Sequence, residues 1–275
     1  KKFIGVPYLL WVYGGETQKV YMKDKFTTFW ADRLLKDAYK IASISRYCQK
    51  EFLEYGFPEE RVPMILPAVN PDIFTPGEPP AELRDKWKLH GRKVLLTVAR
   101  IAERKGHDLV LRALPEILKH HPDVIYLIAG KGGDKDRLLK MAEQLGIQDR
   151  VLFCGFVPDE ELTDYYRLCD IYVMPNREIF DSTDSIEGFG ISFIEASACA
   201  KPVIGGKSGG AVEAIEDGYS GWLIDPDNPQ ELAEKVIELL SDDELRRKIG
   251  RQGRERVLEK MTWEGRAKEV VNIEV

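Results

Sequence analysis

Residues 181–210, DSTDSIEGFGISFIEASACAKPVIGGKSGG, decide how this chain is read. Two carboxylates, Glu187 and Glu195, stand on either side of a turn marked by Gly188 and Gly190. From Gly190 onward Ile191, Ile194 and Ala198 recur at helical spacing, which predicts a helix with that face buried. A short strand at 202–205 and a second glycine loop at 205–210 follow at once. Loop, helix, strand and glycine loop in that order describe the edge of an α/β sheet where ligands sit beyond the strand ends.

Glu195 lies four positions after Ile191, so helical geometry puts it on the apolar side. A carboxylate there needs a hydrogen-bonding partner to offset its desolvation. Glu187 precedes the helix and belongs to the loop. Were the whole interval helical, the eight-residue step would span about 12 Å. The helix start between the two offers N–H groups and partial positive charge that suit a diphosphate. The plain structural alternative ties Glu195 to a neighbouring backbone N–H and leaves Glu187 solvated.

At 275 residues the chain has room for two domains. It is 44% hydrophobic and 31% charged, the balance of a soluble globular protein. A net charge of −6 gives no global signal for nucleic-acid binding. Cys48, Cys154, Cys169 and Cys199 are scattered without metal spacing and read as reduced residues of a cytoplasmic protein. No apolar run approaches the roughly 18 residues of a membrane span, and no signal peptide is evident. The chain lacks an initiating Met and opens almost directly on a strand, so an upstream portion is expected beyond it.

Residues 4–12 suit a buried strand ending in the turn Tyr13-Gly14-Gly15-Glu16. Residues 19–40 interleave basic residues with aromatic and aliphatic ones. Such a stretch packs on a sheet or lies on an anionic membrane surface, and both readings stay open. Strands at 41–45 and 62–66 flank a helix at 46–55. Residues 70–80, NPDIFTPGEPP, read as an interdomain linker. Strands then alternate with helices: 93–99, 124–129, 150–154, 170–174 and 221–224 against 108–119, 136–145, 159–168, 229–240 and 243–260. A last helix starts at Thr262, with Trp263 expected to anchor it. Arg100 and Lys105, in VARIAERKGHD, follow a strand and are well placed for phosphates, although that loop is rich in ordinary surface charge. The loop Gly130-Lys131-Gly132-Gly133 matches neither the dinucleotide fingerprint nor the P-loop spacing. Asp181 and Asp184 lack an evident third ligand, so no metal site is expected.

With these pieces in hand the chain resembles a family 4 retaining glycosyltransferase of the GT-B fold, two Rossmann-like domains across a cleft. The resemblance rests on Glu187-x7-Glu195, the Arg100/Lys105 pair and the SGG loop. The wording EGFGISFIEASACAKPVIGGKSGG is similar to the phosphatidylinositol mannosyltransferase and related hexosyltransferase branches. The resemblance implies three parts: residues 1–74 as the rear of an N-terminal acceptor-side domain, 75–260 as the donor domain, and 261–275 as a helix crossing back. It implies that Arg100 and Lys105 hold the donor diphosphate, Glu187 faces the transferred sugar and Glu195 binds the ribose. Backbone groups of Phe189, Gly190 and Ile191 would meet sugar and phosphate, and Gly130-Lys131 and Phe156-Val157 would border the base. The implied activity is metal-independent transfer of a hexose from a UDP- or GDP-linked sugar to a glycan or lipid hydroxyl. It requires no cofactor and involves no nucleic acid. Peripheral contact of a cytoplasmic enzyme with the inner membrane face would run through 19–40. A phosphorylase of similar fold and a non-catalytic nucleotide-sugar-binding protein are the alternatives. Two departures stand out. Tyr13 occupies the place where many members carry a His, and the family's N-terminal glycine loop is not in this chain.

Overall fold

The computed structural model describes residues 7–13, 25–179 and 186–273, with backbone only for 25–27. Two parallel sheets organise them. In the first, β1 (Leu9–Val12) pairs with β2 (Lys40–Ser43), Leu9 opposite Lys40. Helix α1 (Lys25–Asp37) connects them and α2 (Arg46–Glu54) follows, capped by the Ser45 hydroxyl. Val12, Leu35, Ile41, Phe52 and Phe57 form the core of this part.

The second sheet has six strands: β3 (Lys93–Val98), β4 (Val124–Ala129), β5 (Val151–Gly155), β6 (Ile171–Met174), β7 (Val203–Gly206) and β8 (Gly221–Ile224). Their order is β5-β4-β3-β6-β7-β8, and every pairing is parallel. The central strands are buried on both faces, which explains their continuous apolar wording. Val94 and Leu96 face one cluster, shared with α6 (Asp159–Leu168), α7 (Ile191–Ala198) and α10 (Asp243–Lys260). Leu95 faces the other, built with α4 (His107–His120), α5 (Lys135–Gln144) and α9 (Pro229–Ser241). Chain order runs outward from β3 to β5 on one side and from β6 to β8 on the other. The direction of winding therefore reverses between β3 and β6, the place where doubly wound sheets open a crevice at their carboxyl ends.

Three expectations are corrected. Residues 62–66 form no strand: Met64 makes one isolated bridge to Ser43, because Pro63 and Pro67 on either side lack the N–H that a ladder requires. Ile191 is exposed, because α7 begins at that residue and its side chain leans over the helix start. Trp263 is half exposed, and Arg266 of α11 (Trp263–Val271) is the buried residue there, donating to the Lys260 carbonyl. A short helix, α3 (Ala81–Trp87), was not anticipated. Residues 70–80 are tied down. Arg167 donates to the Thr75 carbonyl and hydroxyl, Thr163 to the Ile73 carbonyl and Arg254 to the Phe74 carbonyl. Asp181, Asp184 and the remainder of the turn after Tyr13 lie outside the described residues.

Candidate functional site

The loop after β3 and the loop after β6 flank the switch point, and the site is built where they meet. Past Val98 the chain passes Arg100, makes a single 3-10 turn at Glu103–Lys105 and enters α4 through Gly106. That turn aims two cations at one carboxylate. Arg104 donates to Glu187 Oε2 at 2.9 Å, and the Lys105 ammonium donates to the same oxygen. All three side chains are buried. Burial pushes the Glu187 carboxyl up, but Lys105 and Arg104 outweigh it and hold the group below the usual carboxylate range. Two cations thus share one carboxylate.

Further hydrogen bonds fix this turn. Arg177 donates its backbone N–H to the Arg104 carbonyl at 2.9 Å and its guanidinium to Asp108 at 2.9 Å. His107, wholly buried, meets the Arg100 carbonyl at 3.2 Å and the Tyr126 hydroxyl at 3.0 Å. Burial pulls its pKa down to about 4, so the ring is neutral near pH 7. Arg100 itself is exposed at the mouth of the loop.

On the β6 side the Glu187 loop leads into α7, whose N-cap Gly190 has φ +85 and which no side chain caps. The helix start lies beside Glu187, whose Cγ is 3.6 Å from the Cβ position of Gly190. The loop after β7 crosses this segment. Gly210 donates its N–H to the Glu187 carbonyl at 2.9 Å, and a Cβ on Gly210 would overlap the Gly188 carbonyl. Buried Asn176 joins the two loops, donating to the Ser208 carbonyl at 3.0 Å and accepting from the Gly206 N–H. The carbonyl of Tyr13, at the end of β1, packs on Gly188, so the first sheet closes one side of the site.

Glu195 sits one turn deeper, on α7. Tyr166 donates to its Oε2 at 2.6 Å. Burial raises the Glu195 carboxyl, and that hydroxyl partly restores its acidity. The interval between Glu187 and Glu195 is helical only from Ile191, so the fully helical spacing does not apply. Phe189 is buried between the carboxylates. Beyond β4, Gly130 has φ +152 and a Cβ there would overlap the Ala99 carbonyl, which keeps this loop flush with the Arg100 loop. Lys131 sits over the exposed ring of Phe156, 5.7 Å from its centroid, with Val157 buried beside it.

Of the residues singled out in the sequence, Lys105 and Glu187 meet directly, Glu195 lies a turn deeper on Tyr166, and Arg100 stays exposed beside them. Sequence reasoning missed Arg104, Tyr166 and Asn176. Arg104 stands beside Lys105 in a run of charges, and nothing in the wording separates an inward from an outward guanidinium. Tyr166 follows Thr163 at helical spacing on an apolar face, a signal that was available.

Parallel strands wound in this order, with basic and glycine-rich loops at the switch point, define a doubly wound class of α/β proteins. The model of the family described as glycosyl transferases group 1 matches residues 81–256, and the chain belongs to that family. A GDP-mannose-dependent α-(1-6)-phosphatidylinositol monomannoside mannosyltransferase of Mycolicibacterium smegmatis is 34% identical over 235 residues, 85% of this chain and 61% of that protein. A D-inositol 3-phosphate glycosyltransferase of Corynebacterium jeikeium is 34% identical over 68% of this chain and 45% of its own length. Among solved structures, Anabaena HepE in complex with UDP and glucose has a TM-score of 0.81 at 22% identity, covering 96% of this chain and 70% of that one. The C-terminal domain of a group 1 glycosyl transferase from Francisella tularensis has a TM-score of 0.61 at 29% identity, over 71% of this chain and 99% of that one. The fold is GT-B. The chain spans about 60% of the length of the mannosyltransferases it matches.

Proposed function

We propose that this chain carries the donor site of a retaining, metal-independent hexosyltransferase acting on a nucleotide-diphosphate sugar. One observation carries the reading: Arg104 and Lys105 from the β3 loop meet Glu187 from the β6 loop, beside the uncapped start of α7, at the switch point of the sheet. Cations and helix N–H groups there suit a diphosphate. The bond that breaks joins the anomeric carbon to a phosphate oxygen, and the negative charge grows on the departing diphosphate. Lys105, Arg104 and Arg100 are placed to stabilise it, the electrostatic work that a divalent ion does elsewhere. The acceptor oxygen bonds the anomeric carbon from the same face, and its proton leaves on the departing phosphate.

In this reading Glu187 takes hydroxyls of the transferred sugar and Glu195 the ribose hydroxyls. Phe189, Gly190 and Ile191 offer backbone groups to sugar and phosphate. Gly130, Lys131, Phe156 and Val157 border a uracil or guanine, and Tyr13 reaches the sugar. Residues 75–260 form the donor domain, in keeping with the isolated Francisella domain that aligns over nearly its whole length. Residues 1–74 belong to the acceptor side. Residues 261–275 return to it, as the bond from the Val69 N–H to the Met261 carbonyl supports. The acceptor is a glycan or lipid hydroxyl. Exposed Phe29, Trp30 and Leu34 on α1 suit peripheral contact with the inner membrane face of a cytoplasmic enzyme.

Calorimetric titration of UDP, GDP and ADP into the chain tests the donor site. One nucleotide is expected to bind with a stoichiometry near unity and to be lost in Arg100→Ala with Lys105→Ala. Sugar transfer by the protein with its full upstream sequence, abolished in Glu187→Ala, tests the reaction. Binding that survives both substitutions would overturn the assignment.

A further inference from the structure

The donor loops lie at the carboxyl ends of the strands. At the amino ends of the same strands the chain forms a cavity of about 600 Å³, between Lys93 at the start of β3, Asp170 before β6 and Pro202 before β7. Strands of four to six residues separate the two, roughly 13 to 20 Å of sheet. Nothing in the donor reading uses this cavity.

Its charge runs against that of the chain. Seven lining residues are Lys or Arg and two are acidic. Asp164 and Asp243 at the rim pair with Arg167 and Arg246, so four carboxylates oppose seven cations where the whole protein is net −6.

Part of this charge has a structural explanation, because a doubly wound fold gathers its helix C-termini at this edge. Lys201 donates to the Arg167 carbonyl near the end of α6, at 2.8 Å. Arg246 donates to the Leu239 carbonyl near the end of α9 and pairs with Asp243. Arg167 holds Thr75 and Asp164. These three brace the wall.

The rest are differently placed. The guanidinium groups of Arg84, on α3, and Arg92, in the turn before β3, make no hydrogen bond or ion pair among the described residues, and both line the cavity. Among the described residues Arg247 reaches only Asp243, at 3.7 Å, and it is largely exposed. Lys93 stands 3.9 Å from both Asp170 and Asp243. Arg84 and Arg92, without a partner among the described residues, stand beside five further cations around one concavity, and an anion between them relieves the repulsion. Five of the seven are arginines, whose planar forks match phosphate oxygens in pairs. The volume exceeds what a single phosphate needs and falls in the usual range for small-molecule sites.

We infer that this cavity binds an anion carrying two or more phosphate groups, at a site separate from the donor site on the opposite edge of the sheet. Arg84, Arg92 and Arg247 contact the phosphates, while Arg167, Lys201 and Arg246 hold the wall. The chemistry is shared by a soluble polyphosphorylated compound and a clustered lipid phosphate headgroup.

Calorimetry with inorganic tripolyphosphate at low ionic strength tests the site on the wild-type chain, on Arg84→Ser with Arg92→Ser, and on Arg100→Ala. Arg92 is exposed and Arg84 half-buried, and neither belongs to the core. The paired substitution is expected to weaken one saturable binding event by about tenfold or more, whatever Arg100→Ala does to a second event at the donor loops. A control pair at exposed positions elsewhere, Lys140→Ser with Arg251→Ser, is expected to change nothing. An unchanged isotherm in the Arg84/Arg92 variant, or an equal loss in the control pair, would overturn the inference. Citrate binding as tightly as tripolyphosphate would overturn the preference for phosphate. Co-sedimentation with phosphatidylglycerol vesicles that is lost in the Arg84/Arg92 variant would assign the phosphate to a lipid. Tripolyphosphate binding without co-sedimentation would assign it to a soluble ligand.

Discussion

Glu187 and Lys105 lie 82 positions apart in the chain and meet in a buried ion pair, with Arg104 on the same carboxylate oxygen. Each residue satisfies the other. A buried carboxylate left alone would be costly, and so would two buried cations. The pair also sets an order of events for a diphosphate, which must take up these cations in competition with the Glu187 carboxylate.

Glu187→Gln is therefore expected to bind a nucleoside diphosphate more tightly than wild type, by about tenfold, which is about 1.4 kcal/mol. Sugar transfer by the same variant should fall by about a hundredfold or more, since the contact to the transferred sugar is lost. Titration calorimetry and a transfer assay read the two effects separately. Weaker diphosphate binding in Glu187→Gln would show that the carboxylate helps the phosphate site rather than occupying it.

Tyr166 and Glu195 make a second buried pair with a different consequence. The Tyr166 hydroxyl is the donor the structure supplies to a carboxylate that burial pushes up. Tyr166→Phe removes it and should raise the Glu195 carboxyl further, visible in a carboxyl carbon NMR titration as a midpoint shifted to higher pH. The destabilisation expected is about 1 kcal/mol. Glu195→Gln should weaken ribonucleotides more than 2′-deoxy analogues, and equal weakening of both would remove Glu195 from the ribose.

Much of this architecture is legible in the sequence for a simple reason. Strands buried on both faces must be apolar throughout, so VLLTV, VIYLIA and IYVM announce themselves. Residues 62–66 look alike in composition and differ in one respect, the prolines at 63 and 67, which forbid a ladder. The strand order is not local information, so the switch point that assembles the site appears only in three dimensions. Arg104 is the clearest loss. The sequence places it next to Lys105, and only the 3-10 turn brings both side chains to the same carboxylate.

His107 makes the β3 loop acid-sensitive. Burial holds its pKa near 4, against about 6.5 in an unfolded chain. The unfolded state therefore takes up a proton first as pH falls. Stability is full above about 6.5, declines between 6.5 and 4, and loses about 3 kcal/mol over that window. His107→Gln has no such titration. Its urea midpoint should fall less between pH 7 and pH 4.5 than that of wild type, and parallel declines in the two proteins would exclude His107 as the source.

Gly210 tests the crossing of the two ligand loops by volume alone. Its φ of −80 suits any residue, so an added methyl group meets no backbone strain. It would instead collide with the Gly188 carbonyl, while the Gly210 N–H is held by the Glu187 carbonyl at 2.9 Å. Gly210→Ala must therefore push the Glu187 loop off the SGG loop. A loss of about 2 kcal/mol is expected, a few degrees in Tm for a domain of this size. Nucleotide affinity should fall with it, because Glu187 and the start of α7 move together. Gly133→Ala is the matched control: it lies in another loop on the same edge of the sheet, and no atom lies within 4 Å of the added carbon. Thermal unfolding and nucleotide titration of both variants separate the cases. A Gly210→Ala protein as stable and as tightly binding as Gly133→Ala would mean that the two loops are free to part, and the Glu187 position would then owe nothing to the glycine at 210.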